Sequence, residues 1–230
     1  MPLLQATVVR RSCCAVFALG LLAPGARAQV AGRVLVTESR GRLAGDIGNA
    51  VVYLEGRSLR GAAPGTVEMA TDGRAFRPRV LVVPVGTTVR FSNHDPFNHN
   101  VFSLSEPNAF DLGLYGRGEV RSRRFTRAGL VRVYCNIHSQ MSAFVVVRDN
   151  PWYAQPGADG SYTIEGVPPG RYVLHVWHER AAAEVTREIV VAAGGLAGLA
   201  DTLDASGYRW TDHVNKYGRP YDAGAARERY

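Results

Sequence analysis

Hydrophobic positions fall in short runs, many of them alternating with polar ones, and Gly, Pro, Asn and Asp punctuate them at close intervals. Residues 80–83 form an apolar run that Pro84 and Gly86 end, and Val89-Arg90-Phe91 resumes alternation, so 76–91 predicts two short strands joined by a turn. Residues 101–104 predict a further strand, 113–118 a glycine-rich loop, and 124–125 with 130–134 more strand. The β-branched segment 142–147 closes that set. On either side, 32–36 and 50–54, then 161–164 and 171–174, read as strands bounded by turns. Only 194–204 offers a helical pattern. The pattern predicts an all-β chain.

The first 28 residues read as a leader rather than as part of the fold. Arg10 and Arg11 give a charged start, residues 13–22 a short apolar stretch, and Ala26-Arg27-Ala28 a cleavage site before Gln29. The apolar stretch is too short to span a bilayer, and no other run approaches the length needed. The expectation is a periplasmic or otherwise exported protein, cleaved after Ala28 and without a membrane span. Arg10-Arg11-Ser12 is a partial twin-arginine pattern that leaves the export route open.

Cleavage changes the charge and cysteine picture. The net charge of +7 includes Arg10, Arg11 and Arg27; without them 24 basic side chains face 20 acidic ones, a net +4. That is too weakly basic to argue for nucleic acid. Arg117, Arg121, Arg123, Arg124 and Arg127 cluster, either as a solvated strand face or as a docking patch for an acidic redox partner. Of the three cysteines, Cys13 and Cys14 leave with the leader and Cys135 stays alone, so an exported chain would carry one unpaired thiol.

Metal ligation accounts for that thiol. Cys135, His138 and Met141 lie within seven residues, in Tyr134-Cys135-Asn136-Ile137-His138-Ser139-Gln140-Met141, and His99 is available upstream in Phe97-Asn98-His99-Asn100-Val101. Two imidazoles, one thiolate and a weak axial thioether are the donor set of a blue-copper electron-transfer site. Zinc is the chemical rival, but a thioether is a poor zinc ligand. His94 is expected to face solvent, and His175 and His178, three apart on a strand, point to opposite faces. His213 falls in the tail. The sequence holds no His-x-His pair for a second copper centre, no Ser/His/Asp set and no carboxylate pair. A four-ligand site leaves no open position for substrate, so the expectation is not an enzyme.

The segments around these ligands resemble a known family. Phe76-x-Pro78-x-x-Leu81-x-Val83-x-x-Gly86-x-x-Val89-x-Phe91, running into Ser92-Asn93-His94-Asp95-Pro96-Phe97-Asn98-His99-Asn100, is similar to the opening of plastocyanin and its relatives, the cupredoxins. Gly129-Leu130-Val131-Arg132-Val133-Tyr134-Cys135 resembles their approach to the copper cysteine, and the C-x₂-H-x₂-M spacing matches amicyanin. Asn98 stands where plastocyanin has proline. The resemblance implies one type 1 copper on His99, Cys135, His138 and Met141. It also implies a backbone N–H of Asn100 donated to the Cys135 sulfur, Asn93 cross-linking the two ligand loops, and electron exit at the His138 edge among Pro96, Phe97 and Ile137.

The flanks resemble a different module. Ala158-Asp159-Gly160-Ser161-Tyr162-Thr163-Ile164 followed by Gly166-Val167-Pro168-Pro169-Gly170-Arg171-Tyr172-Val173-Leu174 is similar to the carboxypeptidase regulatory-like sandwich, a transthyretin-like fold. The opening strands of such a module are found at 32–36 and 44–54. The expected fold is therefore a cupredoxin Greek-key β-sandwich over 67–148, inserted into a regulatory-like β-sandwich made of 29–66 and 149–200, with a surface tail over 201–230. The whole order also resembles bacterial proteins labelled methylamine utilisation proteins. The expected function is a periplasmic blue-copper protein that passes single electrons between redox partners such as a cytochrome or copper oxidoreductase, as a monomer. The rival is a copper-binding or delivery module, or one recognising a protein or sugar, with no electron-carrier role.

Overall fold

The computed structural model describes residues 28–56, 61 and 63–221. The expected leader, apart from Ala28, lies outside the described residues, as do 222–230 of the expected tail. Ala28 is buried, and its carbonyl accepts the Val167 N–H at 3.0 Å.

The described chain is all-β. Its first strands are β1 (Val30–Thr37), β2 (Val51–Glu55), β3 (Thr66–Thr71), β4 (Phe76–Arg77), β5 (Val80–Pro84), β6 (Thr88–Asn93), β7 (His99–Ser103) and β8 (Phe110–Tyr115). There follow β9 (Val120–Arg124), β10 (Gly129–Cys135), β11 (Ser142–Arg148), β12 (Tyr153–Ala154), β13 (Ser161–Ile164), β14 (Gly170–Trp177), β15 (Val185–Val191) and β16 (Leu196–Asp204).

They form four sheets. Strands from the two ends of the chain make β13-β1-β16 and β12-β2-β14-β15, and the strands between them make β4-β3-β6-β9 and β5-β11-β10-β7-β8. Thus β1 pairs antiparallel with β13, Val30 opposite Ile164, and parallel with β16. Each pair of sheets encloses its own core. Val34, Leu54, Trp152, Leu174 and Val176 belong to the flanking one, and Phe91, Val101, Phe125, Val133 and Val145 to the central one. Alternation does this directly: in β14 Tyr172, Leu174 and Val176 are buried while their neighbours are not. Strand β11 is buried on both faces because Val146 turns outward into a third cluster with Val51 and Val80, where the two sandwiches meet. Arg79 pairs there with Glu179, whose side chain is only 4% exposed, and also donates to the Ser142 carbonyl at 3.0 Å.

Two expectations are corrected. The helical pattern over 194–204 is a strand: β16 pairs with β1 from Leu196 to Asp204, and only Asp201 and Leu203 within it turn inward to burial. Edge pairing and that inward face outweigh a weak helical preference in a glycine-containing segment. The tail accordingly starts after Asp204. The glycine-rich 113–118 region is also partly strand, because β8 runs through Gly113. That residue takes φ +71° opposite a register shift between Asn100 and Phe102, a bulge only glycine adopts cheaply.

Candidate metal centre

Strand register brings the predicted ligands together. Antiparallel pairing sets Cys135, the last residue of β10, opposite Val101 of β7, and the period of two puts His99 on the same inward face as Val101. Cys135 continues the inward series of Val131 and Val133, so its side chain completes a core row. Beyond it the chain turns through 136–141 and returns as β11. The Cys135 N–H donates to the Met141 carbonyl (3.2 Å), Met141 N–H to His138 O (3.0 Å), and Asn136 N–H to Asn100 O (2.9 Å). The last of these ties the turn to the strand that carries His99.

At the centre the Cys135 sulfur lies 3.5 Å from Nδ1 of His99 and 3.5 Å from Nδ1 of His138. The three donor atoms all lie within 4.8 Å of one another, and His99 and Cys135 are fully buried. A metal–sulfur bond of about 2.3 Å and a metal–nitrogen bond of about 2.0 Å meeting near 110° separate sulfur and nitrogen by about 3.5 Å. The donor set therefore fits one small metal ion. Met141, 1% exposed, packs into the same core as Cys135. Phe97 lies against both imidazoles, its ring centroid 5.3 Å from that of His99 and 5.4 Å from that of His138.

Electrostatics keep the imidazoles neutral. Burial pushes His99 below its usual pKa despite its contact with Asp95, and His138 falls to about 4 through burial and the nearby His99 and Arg74. Burial raises the Cys135 thiol, although the backbone N–H groups of Asn100, Ile137 and His138 oppose that by stabilising the thiolate. Metal binding at this site would thus release the thiol proton.

Asp95, which the sequence reading passed over, sets the His99 tautomer. Its Oδ2 lies 2.8 Å from His99 Nε2, so this nitrogen carries the proton and leaves Nδ1 bare toward the sulfur. The carboxylate is itself held by the Gly73 N–H (2.8 Å) and Arg74 N–H (3.1 Å). An acid four residues before the histidine, in the turn that Pro96 marks, was the available signal.

The role expected for Asn93 changes. Its side chain donates to the Phe97 carbonyl (2.8 Å) and the Tyr115 carbonyl (3.3 Å), and accepts from the Asp95 N–H (2.9 Å) and the Thr71 hydroxyl (3.3 Å). Among the described residues it braces the turn before His99 against β3 and β8, not against the 135–141 turn. The bond from Asn136 N–H to Asn100 O is what joins the ligand segments. His94 is exposed, as expected. His175 and His178 lie in the flanking sandwich, His178 fully buried. His213 stacks on Tyr134 at 4.3 Å.

Solved structures similar to this chain are cupredoxin-type proteins. One is a Cu-containing nitrite reductase from Thermus scotoductus SA-01, 32% identical over 37% of this chain and 22% of that one, with a TM-score of 0.35. Another is a purple cupredoxin from Nitrosopumilus maritimus, 24% identical over 36% of this chain and 99% of that one, TM-score 0.33. A third is the oxidized form of a methionine-to-leucine mutant of amicyanin, 25% identical over 36% of this chain and 81% of that one, TM-score 0.34. The match thus spans about a fifth of the nitrite reductase. No family model matches the chain, and no curated protein does. No helix among the described residues is long and apolar enough to cross a membrane.

Proposed function

We propose that this is an exported type 1 copper protein that carries single electrons between redox partners, with His99, Cys135, His138 and Met141 as the ligands. One observation carries the reading: Nδ1 of His99, Nδ1 of His138 and one thiol sulfur converge on a point at metal-binding distance, at the end of a core. Thiolate and thioether favour Cu(I) and imidazole tolerates either oxidation state, so the set suits a metal that cycles between both. Met141 argues against zinc.

This chain's residues supply the rigidity that electron transfer needs. Asp95 fixes one imidazole, the strand pairing of β7 with β10 fixes its distance from the sulfur, and three backbone N–H groups compensate the thiolate. The half-buried His138, beside Phe97, is the route by which electrons would leave. The arginines of β9 would face an acidic redox partner. We further read the central strands as a cupredoxin unit inserted into a regulatory-like sandwich, because every strand that β1 and β2 pair with lies in 153–204.

The test is a visible absorption spectrum of the copper-loaded protein. A strong thiolate-to-Cu(II) charge-transfer band toward the red is expected, and Cys135→Ser should abolish it. A Cys135→Ser protein that kept the colour would remove the assignment. A copper-delivery protein would instead hold exchangeable, colourless Cu(I).

A further inference from the structure

The segment after β16 crosses from the flanking sandwich to the metal centre and fastens on both ligand-bearing segments. The Tyr221 hydroxyl donates to the Cys135 carbonyl at 2.9 Å, across 86 residues of chain. The Lys216 N–H donates to Asn136 Oδ1 at 2.8 Å. The Lys216 ammonium binds Asp111 at 2.7 Å, and the other oxygen of Asp111 accepts from the Asn100 side chain at 2.6 Å, next to His99. Before these anchors in the chain, His213 stacks on Tyr134 and meets the Tyr221 ring edge-on at 5.4 Å. The segment has its own rigidity: the Asn215 side chain accepts the Tyr217 N–H at 2.9 Å and the Arg219 N–H at 3.1 Å, closing a turn.

We propose that residues 207–221 are a strap that holds the 135–141 turn in its metal-ready arrangement before any metal arrives, with Tyr221 and Lys216 as positioning residues. The turn is a six-residue excursion between β10 and β11, tied by the Cys135, Asn136 and Met141 amides and by the Ile137 and His138 N–H groups at the Cys135 sulfur, and its ligand-bearing His138 is only half-buried. Without external anchors a turn of this kind opens locally at little cost. The strap reaches it from both sides, through Cys135 O and Asn136 Oδ1 on one ligand segment and through Asp111 and Asn100 on the other. Lower mobility of the empty site means less ordering when metal binds, and hence tighter retention. That consequence for copper rests on the function proposed above; the strap itself does not.

The experiment compares the full chain with a Tyr221→Phe/Lys216→Pro variant, the proline removing both the backbone N–H that Asn136 accepts and the ammonium that pairs with Asp111, and with Val214→Ala, a control within the same segment. Amide hydrogen exchange of the metal-free proteins is read at Cys135, Asn136 and Met141, with β14 amides as the internal reference. The double variant should exchange those three amides about two- to tenfold faster per anchor lost, with β14 unchanged. The control should match the parent. Equal protection in the double variant and the parent overturns the strap, whatever metal the site takes, and so does a loss spread evenly over β14. Copper release to a chelator is then measured. Lost protection together with faster copper release supports both readings, and lost protection in a chain that takes up no copper keeps the strap and removes the metal assignment.

Discussion

The two sandwiches both bury histidines, and they treat them differently. In the flanking sandwich His178 has both ring nitrogens occupied by protein: Nδ1 accepts the Arg180 N–H at 3.2 Å, and Nε2 lies 3.4 Å from the Asp46 carbonyl. Arg180 is in turn paired with Glu38 and Asp46. In the central sandwich His99 has only Nε2 spoken for, by Asp95, and its Nδ1 faces a sulfur and a second imidazole. A satisfied buried histidine is a structural one. A buried histidine with one nitrogen fixed by a carboxylate and the other aimed at a thiol is prepared for a metal.

The largest expected effect breaks that contrast outright. Excising 66–148 and joining the flanks with a short Gly/Ser linker should abolish copper binding while leaving a folded β-sandwich, because β1, β2 and β12–β16 find all their partners among themselves. Some stability is lost as Val51, Tyr53 and Trp177 lose the neighbours that cover them. Cooperative thermal unfolding followed by circular dichroism checks this; a molten product would mean that the two sandwiches fold only together.

A smaller cut should separate stability from chemistry. Leu174 is fully buried in the flanking core, and Leu174→Ala should cost about 2–5 kcal/mol in denaturant unfolding. The copper band and potential should stay where they are, since Leu174 belongs to the other core. A shifted band would show that the site depends on flanking-core packing.

Acid acts on both regions with one sign. His138 titrates near 4 in the folded chain against about 6.5 unfolded, so between those values the unfolded state binds more protons and stability rises with pH. His99 and His178 are lowered by burial and act in the same direction. Asp95, also lowered because the Arg74, His99 and Gly73 hydrogen bonds outweigh its burial, adds a loss as pH falls through its folded value. Metal-free protein should therefore lose urea resistance from pH 6.5 down to 4. Copper-loaded protein should lose more over that range, because the metal keeps both site imidazoles and the Cys135 thiolate unprotonated in the folded state, and unfolding lets all three take up protons. Equal losses with and without copper would mean that none of these groups holds the metal.

The sequence made the centre legible where its geometry is local. The spacing of Cys135, His138 and Met141 lies in one turn, and alternation around Val101 and Val133 is enough to seat His99 and Cys135 on one face. The Asp95 contact was equally local but hidden in a turn rich in polar residues. The strap was not legible: Tyr221 and Lys216 reach Cys135 and Asn136 across 86 and 80 residues, and tyrosines in an aperiodic tail carry no signal of what they meet. The strand β16 was misread for a related reason, since its conformation comes from a partner more than 160 residues earlier rather than from its own pattern.

The smallest effect tests the weakest ligand, Met141. It is 1% exposed beside Cys135, so Met141→Leu keeps the volume and apolar character of the position and should cost under about 1.5 kcal/mol of stability. If its thioether is the long axial donor, its loss withdraws electron density that helps Cu(II) more than Cu(I), and the reduction potential should rise while the thiolate band persists. Met141→Gln offers a harder oxygen donor at the same place and should lower the potential instead. The two shifts of opposite sign are the signature, because general loosening of the turn would move both variants the same way. Cyclic voltammetry reads them directly, and unchanged potentials in both variants would take Met141 out of the ligand set and leave His99, Cys135 and His138 as the whole centre.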